Sequence, residues 1–551
     1  MNSRGSSSAR LRTAAAVAAL IAASAALAQD RTPPAAPAGI ETPADGAANA
    51  VTPVAANPAT PTPAAPPPAV PAPAAAPATT AQPAPEPTAK PETPAQAEAA
   101  PTPAPAAAPV YVSAEPQGPR KPAINQALRD ALVRDAAEAG RQTPQMRALR
   151  RAVDAFYENR GDAPLWIADG QWTPAARAAF DQLQHAPDDG LDLRAYRVYA
   201  LGQGPEASLA LGDVALSEAV AAYAFQASGG RIEPARISRL IGVHPPVVPA
   251  AQALEEVAAS PHAAKTLDDY NPRQPGYLAL KAKLSDVRAA PAPMARLAAR
   301  DRGRRMDDAT GTIAARRDTR LEDEILTNME FWRWLPRDLG AERVVVNIPE
   351  FTARLYRNDA LVLAFRVITG KPDKPTPLFS DKIEYIVVNP SWNVPQSIIK
   401  NELMPHLDAL RAQGYEIRTV KGRLYVRQPP GERNALGQIK FVFPNDYAVY
   451  MHDTPTRRLF STARRAYSHG CVRVDQPFKF AEDLLQPENG WNEARLRKMI
   501  GKSERRVNLP IPVPVHIVYF TATVDDSGQL QRFDDIYGYA RKTRELLGLD
   551  G

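Results

Sequence analysis

The chain has 551 residues, 57 prolines, a single cysteine and a formal net charge of +6. One cysteine excludes an intrachain disulfide and a Cys-rich zinc site. So small a charge on so long a chain excludes a general nucleic-acid binder, whose basic residues would be more concentrated. Proline is about double its ordinary ~5% share, so part of the length has to be unfolded.

Residues 1–28 have the layout of a secretory signal peptide. Arg4, Arg10 and Arg12 form a basic start, Thr13 to Leu27 are small or apolar, and Ala26-Leu27-Ala28 is an A-x-A cleavage site. The expected location is therefore the periplasm, with membrane attachment only if the signal is not cleaved. No other segment reads as apolar enough to span a bilayer. Residues 29–118 follow as a tether rich in Pro, Ala and Thr; 24 of the 57 prolines fall between 31 and 118. Such a mix cannot build a core and extends at about 3.1 Å per residue, giving a reach of roughly 250 Å.

Folding is expected from residue 119. Apolar residues at three- and four-residue spacing, as in Leu149, Val153, Phe156 and Tyr157, predict a helical domain over 119–335. Its breaks fall at Gly161-Asp162, Asp188-Asp189-Gly190, Gly229-Gly230 and Pro245-Pro246. Trp166, Trp172, Tyr223 and Phe225 are expected in its core. His185, His244 and His262 stand apart, without ligand spacing. The Arg-rich stretch 286–320 reads as a solvated linker or helix.

From Val344 the text becomes β-branched and aromatic. Strands are expected at 344–348, 353–356, 361–368, 383–388, 440–443, 448–451 and 515–520, and helices near 396–413 and 476–500. The fold class is thus α+β and multidomain: a helical domain, then a mainly-β domain over 336–545 with a few helices. The segment 396–436 is a candidate capping insertion, with an ordinary packed insertion as the other reading.

Chemistry concentrates between 450 and 473, where Tyr450-Met451-His452-Asp453 precedes Tyr467-Ser468-His469-Gly470-Cys471-Val472-Arg473. A nucleophilic cysteine needs a nearby base or cation to reach the thiolate, and histidine is the usual partner. Gly470 permits positive φ and close backbone approach. The amides of Gly470 and Cys471 are candidates to face a developing oxyanion. Position alone leaves an inert, buried thiol equally open.

The Ser-His-Gly-Cys text, whose Cys471 lies 19 residues after His452, resembles the L,D-transpeptidase catalytic (YkuD) domain family. Phe331-Trp332-Arg333-Trp334, Asn389-Pro390-Ser391-Trp392, Asn434-Ala435-Leu436-Gly437 and Phe443-Pro444-Asn445 are similar to its large Gram-negative YcbB-like branch. Pro164-Leu165-Trp166 and Ser228-Gly229-Gly230-Arg231 look like that branch's scaffold domain. The resemblance covers about residues 140–540. It implies Cys471 as nucleophile and His452 as its base. Ser468, His469 and Gly470 would support the loop and oxyanion hole, and Arg473 would order that loop or meet a substrate carboxylate. Tyr450, Trp392 and Asn434 are candidate substrate contacts, the last two being weighed more heavily as structural.

The implied reaction joins meso-diaminopimelate-containing stem peptides of peptidoglycan by 3→3 cross-links through a thioester, without metal or cofactor. Hydrolysis by the same acyl-enzyme, attachment of a protein amine, and an inactive wall-binding scaffold are the alternatives. Other cell-wall enzymes are expected partners; nucleic acid is not. The related branch often carries a wall-binding module in its helical region, whereas the text between Tyr277 and Leu321 is short and charged, so that module is expected to be absent.

Overall fold

The helical half opens with α1 (Ala123–Ala137) and α2 (Pro144–Asn159), the latter capped by Thr143, whose Oγ1 accepts the Met146 amide at 3.2 Å. A two-residue hairpin, β1 (Ile167–Ala168) and β2 (Gln171–Trp172), leads into α3 (Pro174–Gln184), which Thr173 caps in the same way. The computed structural model describes residues 123–137, 143–196, 201, 204–289, 309–486 and 489–549. The signal sequence expected over 1–28 and the tether over 29–118 lie outside the described residues.

Helix α4 (Glu206–Gly229) runs through the centre of this half. Its length and composition are sufficient to cross a membrane, which corrects the expectation that no further segment qualifies. Its flanks are nevertheless packed: Ala210, Ala219, Val220 and Tyr223 are fully buried beside Val153, Trp166 and Leu254. Asp213 on α4 is also buried, and it accepts the amides of Leu165 and Trp166 at 3.1 and 2.7 Å and the Tyr157 hydroxyl. A buried carboxylate so fully bonded fixes how the Pro164-Leu165-Trp166 turn meets the helix. The helices α5 (Ala250–Ala259), α6 (Ala263–Asp268) and α7 (Pro275–Ala289) complete the half. The stretch 290–308 lies outside the described residues, and the expected lack of a wall-binding module falls largely on it.

Helix α8 (Ala309–Arg333) joins the two halves. Phe331 and Trp334 enter the β core, Trp332 stacks on Phe520 with centroids 4.5 Å apart, and the Glu330 carboxylate accepts the amides of Arg231 and Ile232 at 2.6 and 2.9 Å. A second junction forms where Gly242 donates to the Leu378 carbonyl and Leu378 to the Leu240 carbonyl, both at 2.8 Å. The two halves thus share core residues and backbone bonds.

The β half is built on β3 (Glu342–Asn347), β4 (Thr352–Arg357), β5 (Ala360–Gly370), β6 (Phe379–Val388), β10 (Ile439–Val442), β11 (Met451–His452), β12 (Ala466–Ser468), β13 (Val472–Val474) and β14 (Arg505–Val518). Their order is β12-β5-β13-β11-β10-β6-β14-β3-β4, and β4 also pairs with β5, which brings the strands into a closed circuit. Packed against it are α11 (Pro477–Leu485) and α12 (Glu493–Lys498); Phe480 of α11 meets Phe365 and Phe441 inside. The helical stretch expected near 476–500 consists of these two helices. A small hairpin, β15 (Ala522–Val524) with β16 (Leu530–Arg532), and α13 (Tyr539–Leu547) end the described chain.

Between β6 and β10 the chain leaves the circuit. β7 (Trp392–Asn393) pairs with β9 (Arg423–Gln428), which pairs with β8 (Glu416–Val420); α9 (Gln396–Ile398), a π-type turn over Ile399–Leu403 and α10 (Leu407–Ala412) cover this sheet. Val394, Ile399, Leu403, Leu410, Tyr415 and Val426 give it an apolar core of its own. The insertion read from sequence is thus a small subdomain that includes three strands the sequence reading lacked.

Candidate active site

Two short neighbouring strands present the reactive side chains. β11 and β13 run parallel, with Met451 beside Val472 and His452 beside Arg473. The strand expected over 448–451 shrinks to Met451–His452. Asn445 accounts for this: its Oδ1 accepts the Tyr447 and Val449 amides at 3.1 and 3.2 Å, and Nδ2 donates to the Phe443 and Val449 carbonyls at 2.7 Å. Asparagine bonded in this manner holds a turn in place of a strand. Tyr450 therefore precedes the strand, yet its ring still lies against His452, with centroids 5.7 Å apart.

The Cys471 turn is held from both sides. Ser468 Oγ donates to the Cys471 carbonyl at 2.5 Å and accepts the Gly470 amide at 3.1 Å. Thr376 Oγ1 donates to the Gly470 carbonyl at 2.8 Å, and Tyr537 braces Thr376 by accepting its amide at 3.2 Å. Gly470 has φ +119°, a region that only glycine occupies without strain. One expectation is corrected here: the Gly470 amide is already bonded to Ser468, so in this state it is not a free oxyanion donor. The Cys471 amide has no acceptor among the described residues.

His452 is buried. Nδ1 faces the Asp453 carbonyl, with the Leu436 carbonyl as a second acceptor beside the ring. Burial, followed by the positive fields of Arg473 and Lys440, pulls the imidazole down to about 3, so it is neutral near pH 7. A neutral ring that donates from Nδ1 carries no proton on Nε2. Asp453 is fixed in turn by the Gln438 amide at 2.9 Å and by Arg457. Gly437 makes that approach feasible, because a Cβ there would stand 2.4 Å from the Asp453 carboxyl carbon.

Asn434, a candidate substrate contact weighed more heavily as structural, is placed as a residue that positions its loop. It is buried, its Nδ2 donates to the Pro429 and Gln428 carbonyls at 2.8 and 3.3 Å, and its Oδ1 accepts the Leu436 amide at 2.8 Å. Its carboxamide is thereby used up in placing Leu436 beside His452.

His452 makes no hydrogen bond to the thiol in this state. Tyr450 does: both its backbone N–H and its phenol bond Cys471. Trp392 hydrogen-bonds the Tyr450 hydroxyl from β7. The indole can only donate, so the phenol proton is free to point at Sγ. Burial pushes the Cys471 thiol up, while Tyr450, Lys440 and Arg473 pull it back. His469 lies on the other side of the turn, with Nε2 2.9 Å from Glu402 Oε1 of the inserted subdomain. Burial lowers it despite Glu402. The arrangement sets a thiol near a neutral imidazole and two cations, chemistry suited to acyl transfer.

Residues 341–489 match the model of the L,D-transpeptidase catalytic domain, and residues 151–284 that of the scaffold domain. The chain carries an L,D-transpeptidase catalytic domain. A Haemophilus influenzae relative named "Putative L,D-transpeptidase" is 33% identical over 253 residues, which cover 42% of this chain and 50% of the relative. The chain thus spans half the length of that relative. Among solved structures, an L,D-transpeptidase from Mycobacterium smegmatis is 15% identical, covering 32% of this chain and 58% of that one at TM-score 0.18. L,D-transpeptidase 3 from Mycobacterium tuberculosis, in complex with a faropenem-derived adduct, is 13% identical, covering 32% and 60% at TM-score 0.19. Scores this low support no inference.

Within the L,D-transpeptidase domain, the structure gathers Cys471, His452, Tyr450, Arg473, Ser468, Gly470 and His469 at one place and adds residues the sequence reading lacked. Lys440 on β10 pairs in register with His452, and its ammonium stands 3.8 Å from the Tyr450 ring centroid. Arg473 is partly buried, and its Nε has no hydrogen-bond partner. Glu402, Thr376 and Tyr537 complete the set. A signal for Lys440 was available, since alternation along 439–442 puts it on the face opposite Ile439 and Phe441. Glu402 and Thr376 carry no such signal.

Proposed function

We propose that the protein is a peptidoglycan L,D-transpeptidase that forms 3→3 cross-links through a Cys471 thioester. Cys471 Sγ attacks the carbonyl of the third stem residue, meso-diaminopimelate, while its proton passes to His452. The carbonyl carbon–nitrogen bond breaks, and D-Ala leaves with a proton on its amine. An acceptor diaminopimelate amine then attacks the thioester, loses a proton and releases the thiol. The observation that carries this reading is the Cys471 turn itself, with its unbonded Cys471 amide beside a neutral His452, within a match to the L,D-transpeptidase catalytic domain.

Incubation with disaccharide-tetrapeptide followed by mass analysis tests it. Cross-linked dimer is the expected product and should vanish in Cys471→Ala. Tripeptide alone would mean hydrolysis in place of transfer, and tripeptide joined to a protein amine would mean attachment. No product from a folded protein would overturn the reading. We further propose that the protein works in the periplasm on the wall, with other cell-wall enzymes as partners. Fractionation that left it in the cytoplasm would overturn that. The Cys471 thiol is also expected to be acylated by carbapenems, read as an adduct in the intact mass.

A further inference from the structure

The ammonium of Lys440 is unusually placed. It forms no hydrogen bond or ion pair among the described residues, and it sits over the face of the one side chain that bonds the nucleophile. We propose that Lys440 is a positioning residue for Cys471: by standing over the Tyr450 ring it strengthens the phenol's hydrogen bond to Sγ and so favours the thiolate. This rests on the reading of Cys471 as the nucleophile.

The reasoning is electrostatic. A cation over an aromatic face draws electron density from the ring, and a phenol so polarised is a stronger donor. The Tyr450 oxygen already accepts from Trp392, so its proton is directed to sulfur. His452 is neutral, so no imidazolium stands by to hold a thiolate. The remaining positive charges facing the sulfur are Lys440 and Arg473. Strand β6 offers only Val387 beside Lys440, and the carboxylate that Lys440 senses is Glu504. Both cations act on the sulfur, and Lys440 is in addition in contact with the phenol.

The sole cysteine of the chain makes the test specific, because iodoacetamide alkylation of the full-length protein reports on Cys471 alone and needs no wall substrate. The rate is measured against pH in wild type, Lys440→Met, Lys440→Arg, Tyr450→Phe and the Lys440→Met/Tyr450→Phe double variant. Lys440→Met is expected to move the thiol titration up by about one pH unit, about tenfold in rate at pH 8. Lys440→Arg, which keeps the cation, should stay within about twofold of wild type. In the Tyr450→Phe background the Lys440→Met change should shrink to less than about twofold, the mark of coupling through the phenol. Lys440→Met within about twofold of wild type, or an undiminished tenfold loss in the Tyr450→Phe background, overturns the proposal. Failure to cross-link tetrapeptides would instead strike the transpeptidase reading and leave these rates as they are.

Discussion

His469 Nε2 lies 2.9 Å from Glu402 Oε1, so the turn carrying Cys471 is tied to the π-type turn of the inserted subdomain. Trp392 makes a second tie, from the first strand of that subdomain to Tyr450. The subdomain thus meets the site at two points while keeping its own apolar core.

Glu402→Ala should release the first tie. The pair is partly exposed, so its direct contribution is at most about 1 kcal/mol and the melting temperature should barely move. Access is where the change is expected: alkylation of Cys471 by a bulky maleimide should rise about threefold, with little change for iodoacetamide. Glu402→Gln, which can still bond His469, should resemble wild type. Equal rates for both reagents in Glu402→Ala would show that the tie does not restrict the site.

The buried imidazole sets a pH dependence. His452 titrates at about 3 in the folded protein, below an exposed histidine, so the unfolded chain takes the proton more readily. Stability present above about pH 6.5 is therefore lost as the pH falls towards 3, by up to about 1.4 kcal/mol per pH unit. His469 and His516 are lowered as well and add in the same direction. His452→Asn should flatten the decline in urea midpoint between pH 6 and pH 4 by about one proton. An unchanged slope would mean that the ring is protonated in the folded site.

Gly470→Ala isolates backbone conformation from packing. A Cβ there meets nothing closer than the Pro375 carbonyl at 3.7 Å, so space is available, but φ +119° is not. The cost should be about 1–3 kcal/mol, expressed mainly as a relaxed Cys471 turn. Carbapenem acylation is expected to slow by at least about tenfold while the melting temperature falls only a few degrees. A variant that acylates normally would show that the turn tolerates another geometry.

The sequence reading went furthest where chemistry is local. The Ser-His-Gly-Cys run with His452 marked the Cys471 turn, because the cysteine, glycine and loop serine lie within four residues. The helix-to-sheet change near 335 was equally visible, as periodicity and β-branched content change there. The strands of the inserted subdomain were hidden. β8 exposes Arg418, Thr419 and Val420, only Val426 of β9 is buried, and β7 has two residues. Glu402 and Thr376 were out of reach because they meet the Cys471 turn from 67 and 94 residues away. Asn434, weighed more heavily as structural, and Gly470, a candidate oxyanion donor, both have their polar groups bonded within their own loops; sequence shows that a donor exists, not whether it is already used.

The junction between the halves offers a last test, remote from the thiol. Gly242, whose amide bonds the Leu378 carbonyl, lies so close to Tyr447 that a Cβ would come within 1.8 Å of its hydroxyl oxygen. Tyr447 in turn packs on Phe379, with centroids 5.2 Å apart. Gly242→Ala should force these groups apart and destabilise by about 1–3 kcal/mol. Because Tyr447 belongs to the Asn445 turn that leads into β11, the same change should lower the rate of Cys471 acylation. Adding Tyr447→Ala should relieve the overlap and recover part of the lost stability. If Gly242→Ala melts and acylates as wild type does, the halves are not held together at this point.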